Sequence, residues 1–284
     1  MNLSRRDFFK LSGAALTTLG LSQFDTLPGT AQAALPSARV RILQMTHTRA
    51  MPDATSSAIA RLLPDTVHAL HGISGAWAQL ADGYYVPLAH LQPMVTRNAA
   101  PSGVGWAQVG APFAGVRAYA APDAPLLARL GHGAILAPDA VLKDAQGVAW
   151  QRAALNGQTG WVQSAHLQAV PAYEKAAPGY ARLVDNQLQV WQGARAIGAF
   201  ALVQRAQILR PGRHIVTARQ PGADLPNVPA APWMLTTESG LHLSGVYWNA
   251  AALPAPQNWL GLSVVSAEWV YAALGPGSRI DIDA

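Results

Sequence analysis

The chain of 284 residues contains no cysteine. That absence excludes disulfides, thiolate metal sites, a lipid-modified cysteine anchor and any catalysis by a sulfur nucleophile. Charge is also scarce, at 12% of residues, and no run of five or more basic side chains occurs, so the formal charge of +5 marks no nucleic-acid surface. No uninterrupted apolar stretch reaches the ~20 residues a membrane-spanning helix needs. Histidines lack metal-ligand spacing: His68 and His71 could meet only on a helix, and their surroundings read as strand. No metal and no cofactor are expected, since Gly-rich dinucleotide and haem signatures are missing as well.

Half of the residues are apolar. This composition suits folded modules of low charge, with room for two or three domains. The first 33 residues stand apart. Ser4-Arg5-Arg6-Asp7-Phe8-Phe9-Lys10 forms a twin-arginine export pattern, followed by a mildly apolar run from Leu11 to Ser22 and an A-x-A cleavage signal at Ala31-Gln32-Ala33. Residues 1–33 are therefore expected to be an export signal, the mature chain to begin near Ala34, and the protein to reach the periplasm, the cell wall or the exterior. Losing Arg5, Arg6 and Lys10 together with Asp7 and Asp25 lowers the charge from +5 to +4. So mild an excess allows at most peripheral contact with a membrane.

The middle of the chain repeats itself with a period of about 70 residues, the size of a small domain. Arg49 answers Arg117, Pro52-Asp53-Ala54 answers Pro122-Asp123-Ala124, and Ala60-Arg61-Leu62 answers Ala128-Arg129-Leu130. Trp77 answers Trp150, and Tyr85-Val86 with Ala89-His90-Leu91 answers Trp161-Val162 with Ala165-His166-Leu167. Alternating apolar residues and turn pairs such as Asn156-Gly157 predict short strands wrapped round one core in each repeat. The repeats, residues 38–94 and 105–170, resemble bacterial SH3-like domains. That resemblance implies wall-peptide binding or tethering, with Trp150 and Trp161 as groove aromatics. Barrels this small bury only about 60% of their unfolded surface, so they are expected to lean on a neighbour. His90 and His166, at equivalent places, are expected to play a structural part.

Residues 178–284 carry the remaining signal. Tyr180 to Gly193 reads as a hairpin turning at Asp185-Asn186, and Pro211-Gly212 marks a further turn. The stretch from Leu241 to Tyr271, LHLSGVYWNAAALPAPQNWLGLSVVSAEWVY, resembles the active-site segment of the bacterial L,D-transpeptidase domain: a strand, a loop and then a helix. Gly245, Tyr247 and Trp248 match on the strand side, and Ala267, Glu268, Trp269 and Tyr271 match on the helix. The fold class this implies is mainly β: two small SH3-like barrels followed by an L,D-transpeptidase-like β-sandwich domain with a short helix.

The residues that do chemistry in that family are not matched. Registered on Ala267-Glu268-Trp269, the family's cysteine falls on Trp259, its His-Gly on Gln257-Asn258, its arginine on Gly261 and its upstream histidine on Ser244. An indole has no nucleophile to activate. The reading is a catalytically lapsed domain that recognises peptidoglycan or a wall-associated partner, with Trp233, His242, Tyr247, Trp248 and Trp259 lining a groove. Trp259 either fills the former acyl pocket or swings outward as a platform. Two alternatives remain open: an enzyme using Ser244 or Ser263 with His242, and a structural partner of an active envelope enzyme.

Overall fold

The structure, a computed structural model, describes residues 39–97, 99–101, 105–173, 176–207, 209–248 and 255–283. The export pattern and its cleavage signal lie outside these residues. Mainly β architecture is observed, with a single α-helix among the described residues. No described helix is long and apolar enough to cross a membrane. The chain divides between Met94 and Val95 into two compact units.

In the first unit, β1 (Arg39–Ile42), β2 (Thr46–Arg49), β3 (Ala58–Leu62) and β4 (Val67–Ser74) are followed by β5 (Trp77–Leu80), β6 (Tyr85–Pro87) and β7 (Leu91–Pro93). They form one sheet in the order β3-β2-β6-β5-β4-β1-β7. Alternation delivers Val40, Ile42, Leu70, Ala78, Leu80, Val86 and Leu91 to a single core.

The second unit opens with β8 (Ala107–Val109), β9 (Phe113–Arg117), β10 (Leu126–Gly131), β11 (Ile135–Leu136) and β12 (Ala140–Lys143). Then come β13 (Ala149–Leu155), β14 (Gln158–Gln163) and β15 (Leu167–Ala169). Their orders, β10-β9-β14-β13-β12 and β11-β8-β15, reproduce the succession of the first unit, with β11 and β12 together standing where β4 stands.

The sequence repeat thus has a structural counterpart, and particular atoms carry it. Arg49 donates to the carbonyl of Ser56, and Arg117 donates to that of Ala124, each closing a loop of the same length. Arg49 lies in register with Tyr85 as Arg117 does with Trp161. A single 3-10 turn, Leu88–His90 or Ser164–His166, precedes the last strand of each repeat. Asn156 and Gly157 both have positive φ, at 48° and 77°, as their two-residue hairpin requires.

The rest of the second unit comprises β16 (Tyr180–Val184), β17 (Gln187–Gln192), β18 (Arg195–Arg205), β19 (Gly212–Leu225), β20 (Val228–Thr237), β21 (His242–Val246), β22 (Trp259–Ser263) and β23 (Arg279–Ile282). The helix, Val264–Ala273, leaves β22 directly. The strands close on themselves in the order β16-β17-β18-β22-β21-β20-β19-β23. Closure pairs β23 with both β16 and β19, so no edge of this barrel is left open.

The second repeat packs directly on the barrel. Strand β19 passes beneath β11 so closely that a methyl group on Gly222 would overlap the Ile135 carbonyl oxygen and lie 2.9 Å from its carbon. Nearby, Asp224 accepts the backbone N–H groups of Asn156 and Ala230. The expected leaning on a neighbour is therefore realised for this repeat. Gly222→Ala is predicted to destabilise the second unit by about 1–3 kcal/mol, the usual cost of overpacking. Guanidinium unfolding of the variant beside the parent chain checks it.

Candidate functional site

The stretch from His242 to Ala273 folds as strand, connection, strand and helix. Strands β21 and β22 run parallel, with His242 opposite Trp259, Ser244 opposite Gly261 and Val246 opposite Ser263. A parallel pair of this kind cannot be joined by a tight hairpin turn. Side chains alternate along both strands. A Cβ built on Gly245 would meet the helix at Val264 and Ala267, whereas one on Gly261 would meet Val246 and Trp259. Ser244, Trp259 and Gly261 therefore share the face turned away from the helix. The three positions to which the resemblance assigns histidine, cysteine and arginine are neighbours.

Trp259 is fully buried, at 0% exposure, and its indole N–H donates to the Ser244 hydroxyl at 3.0 Å. Its ring stacks on Trp248 with centroids 5.6 Å apart, and Trp248 in turn meets Tyr247 edge-on. The ring also lies over Gly261: a methyl group there would come within 2.9 Å of Trp259 Cζ2 and 2.7 Å of Val246 Cγ2. Of the two positions open to this side chain, the inward one is adopted. Trp259 and Gly261 form a complementary pair, since the indole occupies the space that any side chain at 261 would need.

The loop entering β22 is shaped to deliver that ring. Asn258 has φ 50°, the left-handed region that asparagine tolerates better than most side chains. Its carbonyl accepts from the His242 N–H at 2.9 Å, and its side-chain amide reaches the Ser239 carbonyl at 3.4 Å. Gln257 is exposed.

Neither candidate serine is set up as a nucleophile. Ser244 is completely buried and takes the Trp259 N–H. Ser263 caps the helix, accepting from the Ser266 N–H at 3.1 Å and donating to the Ser266 hydroxyl at 2.8 Å. The imidazole of His242 sits 3.2 Å from Thr236 Oγ1. Serine catalysis requires a hydroxyl paired with an oriented base, and no such pairing is formed here.

Among the residues expected to line a groove, Trp233, Tyr247, Trp248, Trp259 and Trp150 are buried and offer no open ring face in this structure. Tyr247 donates its hydroxyl to the Pro229 carbonyl, and Trp150 donates its indole N–H to Asp144 at 2.8 Å. Trp161 and His242 are half-buried. No cluster of three or more His, Cys, Asp or Glu side chains that could hold a metal ion occurs among the described residues.

A second polar centre lies on the helix, and sequence reasoning missed it. Glu268, buried, accepts from both the Arg97 guanidinium and the Tyr173 hydroxyl. Arg97 also donates to Gln108, which accepts from Gln168 at 2.9 Å, while the Arg97 backbone N–H donates to Gln168 at 2.8 Å. Burial, and then the neighbouring Glu268 charge, push the Tyr173 phenol well above the ordinary tyrosine range, so it remains a donor. The network ties residues 95–97, the second repeat and the barrel helix together. No motif announces it, because Arg97 and Glu268 are far apart in sequence and Arg97 and Tyr173 lie in unpatterned connections.

Burial holds His90, His166 and His242 below the ordinary value of 6.5. Their folded forms resist protonation while the unfolded chain takes up protons near 6.5. Stability is therefore predicted to be level above that pH and to fall as pH drops from 6.5 toward the depressed folded values. Denaturant midpoints measured on either side of pH 6.5 check the sign. Of the repeated pair, His90 Nδ1 meets Thr46 Oγ1 at 2.8 Å, whereas His166 Nδ1 is buried without a partner.

No family model matches the sequence, and comparison with curated proteins returns no relative. Among solved structures, the chain is similar to L,D-transpeptidase 1 of Mycobacterium tuberculosis at 14% identity, covering 49% of this chain and 84% of that one with a TM-score of 0.32. An L,D-transpeptidase from Mycobacterium smegmatis is similar at 12% identity, over 73% of this chain and 90% of that one, TM-score 0.31. An L,D-transpeptidase from Stackebrandtia nassauensis is similar at 13% identity, over 41% of this chain and 60% of that one, TM-score 0.33. Likeness at this level of identity and TM-score assigns the chain no activity.

Proposed function

We propose that this is an exported, envelope-associated binding protein whose C-terminal domain has the L,D-transpeptidase arrangement without its chemistry. The observation that carries the reading is the Trp259 ring, buried between Ser244, Gly261 and Trp248 where the sequence resemblance places a thiol. A thioacyl intermediate needs an ionisable sulfur beside a base. Trp259 supplies neither, and the lack of cysteine extends the point to the whole chain.

Recognition then falls to surfaces other than the filled pocket. The ligand is peptidoglycan or another wall polymer, contacted by the two SH3-like modules, with Trp161 and the mouth of β21 at His242 as the half-buried groups facing it. Weak sites on separate modules reinforce one another when joined in one chain. The competing reading, a wall enzyme working through a residue other than cysteine, would draw on Ser244 or Ser263, whose hydroxyls are committed to Trp259 and Ser266. Sedimentation with purified peptidoglycan sacculi at low salt tests the proposal. Retention that Trp161→Ala weakens is expected; a protein left wholly in the supernatant contradicts it.

A further inference from the structure

We infer that the cluster of Arg219, Trp233, Tyr271 and Tyr173, where β19, β20 and the helix meet, is a binding site for a small carboxylate, anchored by Arg219. The site is distinct from the Trp259 pocket, which lies on the other face of β21 and β22, and it does not rest on the reading above.

Register brings the parts together. Arg219 on β19 pairs with Leu235 on β20, which puts Trp233 on the diagonal. Both side chains converge on Tyr271 of the helix: the guanidinium carbon stands 4.1 Å from its ring centroid, and the Trp233 ring is 5.3 Å away. Tyr173 completes the enclosure, edge-on to Trp233 at 5.5 Å and to Tyr271 at 5.9 Å. Arg219 is half-buried, on the outer side of the cluster, and Trp233 is fully buried.

Two donors in this enclosure have no protein acceptor. Arg219 Nη1 and Trp233 Nε1 are both buried and unpaired among the described residues. Glu268, one turn before Tyr271 on the helix, is already engaged by Arg97 and Tyr173. A guanidinium nitrogen sequestered without a counter-charge is unfavourable. A guanidinium and an indole N–H are donors only, so the complementary group is one made of acceptors. A planar carboxylate fits the guanidinium fork and can take the indole N–H as well.

The backbone here is held in a costly shape. Ala230 and Trp233 have φ values of 54° and 60° within β20, a region non-glycine residues avoid. Such strain gathers at ligand clamps.

The test is an NMR titration of the purified chain, following the tryptophan indole N–H resonances, with N-acetylglycine, its neutral amide and inorganic phosphate as probes. Trp233→Phe assigns the Trp233 signal by its loss. The acid is expected to move that signal downfield saturably, the amide to leave it in place, and Arg219→Met to weaken acid binding about tenfold or more, the effect of losing a charge-assisted hydrogen bond. Arg219→Lys keeps the charge but not the fork and is expected to restore only part of the affinity. Equal shifts with acid and amide, preference for phosphate, unchanged affinity in Arg219→Met, or no saturable shift in the parent chain would each overturn the assignment. The contrast between acid and amide in the parent chain keeps the test decisive even where a variant folds poorly.

Discussion

Trp259→Ala is expected to lower the stability of the barrel by about 3–5 kcal/mol, the range for truncating a large buried aromatic ring. The loss has three sources. The ring's apolar area returns to a cavity, Trp248 loses its stacking partner, and the buried Ser244 hydroxyl loses the indole N–H it accepts. A fall in denaturant midpoint at constant slope is the expected signature, since a change in slope would report a different unfolded or native state.

The same site supplies a sharper form of this prediction. Gly261→Ala in the parent chain forces a methyl group against Trp259 and Val246, so it should cost about 1–3 kcal/mol. In the Trp259→Ala background, the ring that crowds position 261 is gone and only the Val246 contact remains, so a large part of that penalty should vanish. A double-mutant cycle therefore predicts a favourable coupling of about 1 kcal/mol or more between 259 and 261. Additive penalties would mean that the two residues do not share space. If the coupling holds, the tryptophan and the glycine are one structural unit, and a larger side chain at 261 is better tolerated once the ring at 259 is gone.

Glu268→Ala is expected to be comparably damaging, at about 3–5 kcal/mol, because it strands Arg97 and the Tyr173 hydroxyl in a buried setting. Glu268→Gln, which keeps an acceptor and removes the charge, should cost less. Replacing Arg97 and Glu268 together by methionine should recover much of the loss, since an apolar pair of similar volume often matches a buried ion pair. Thermal unfolding of the three variants distinguishes this from simple helix damage, in which the double variant would be the least stable. Glu268 matched the family frame by sequence, and the structure gives it a local reason: it anchors the connections flanking the second repeat to the helix.

Much of the architecture was legible because its signals are local. Asn156-Gly157 and Asp185-Asn186 dictate hairpins by their backbone preferences, and alternation places Leu183, Leu188 and Val190 in the core. The internal repeat was legible because equivalent residues do equivalent work, as Arg49 and Arg117 show in closing matching loops. Strand β22 was harder to see. Trp-Leu-Gly-Leu-Ser is a short apolar run that periodicity alone does not distinguish from the start of a helix.

What sequence could not show is set by distance along the chain. Barrel closure depends on β23 pairing with β16 and β19, and nothing within Arg279–Ile282 names those partners. The requirement for glycine at 222 comes from Ile135 on another module. The choice between an inward and an outward Trp259 likewise depends on Ser244 and Gly261 together, which become neighbours only through the parallel pairing of β21 and β22.

Intact-mass spectrometry of the purified chain after prolonged exposure to a carbapenem and to a stem tetrapeptide donor addresses the filled pocket most directly. With a buried indole at 259, no cysteine in the chain and both serines engaged, the mass should be that of the unmodified polypeptide at every time point. A stable or turning-over acyl adduct, mapped to any side chain between residues 241 and 271, would contradict the account.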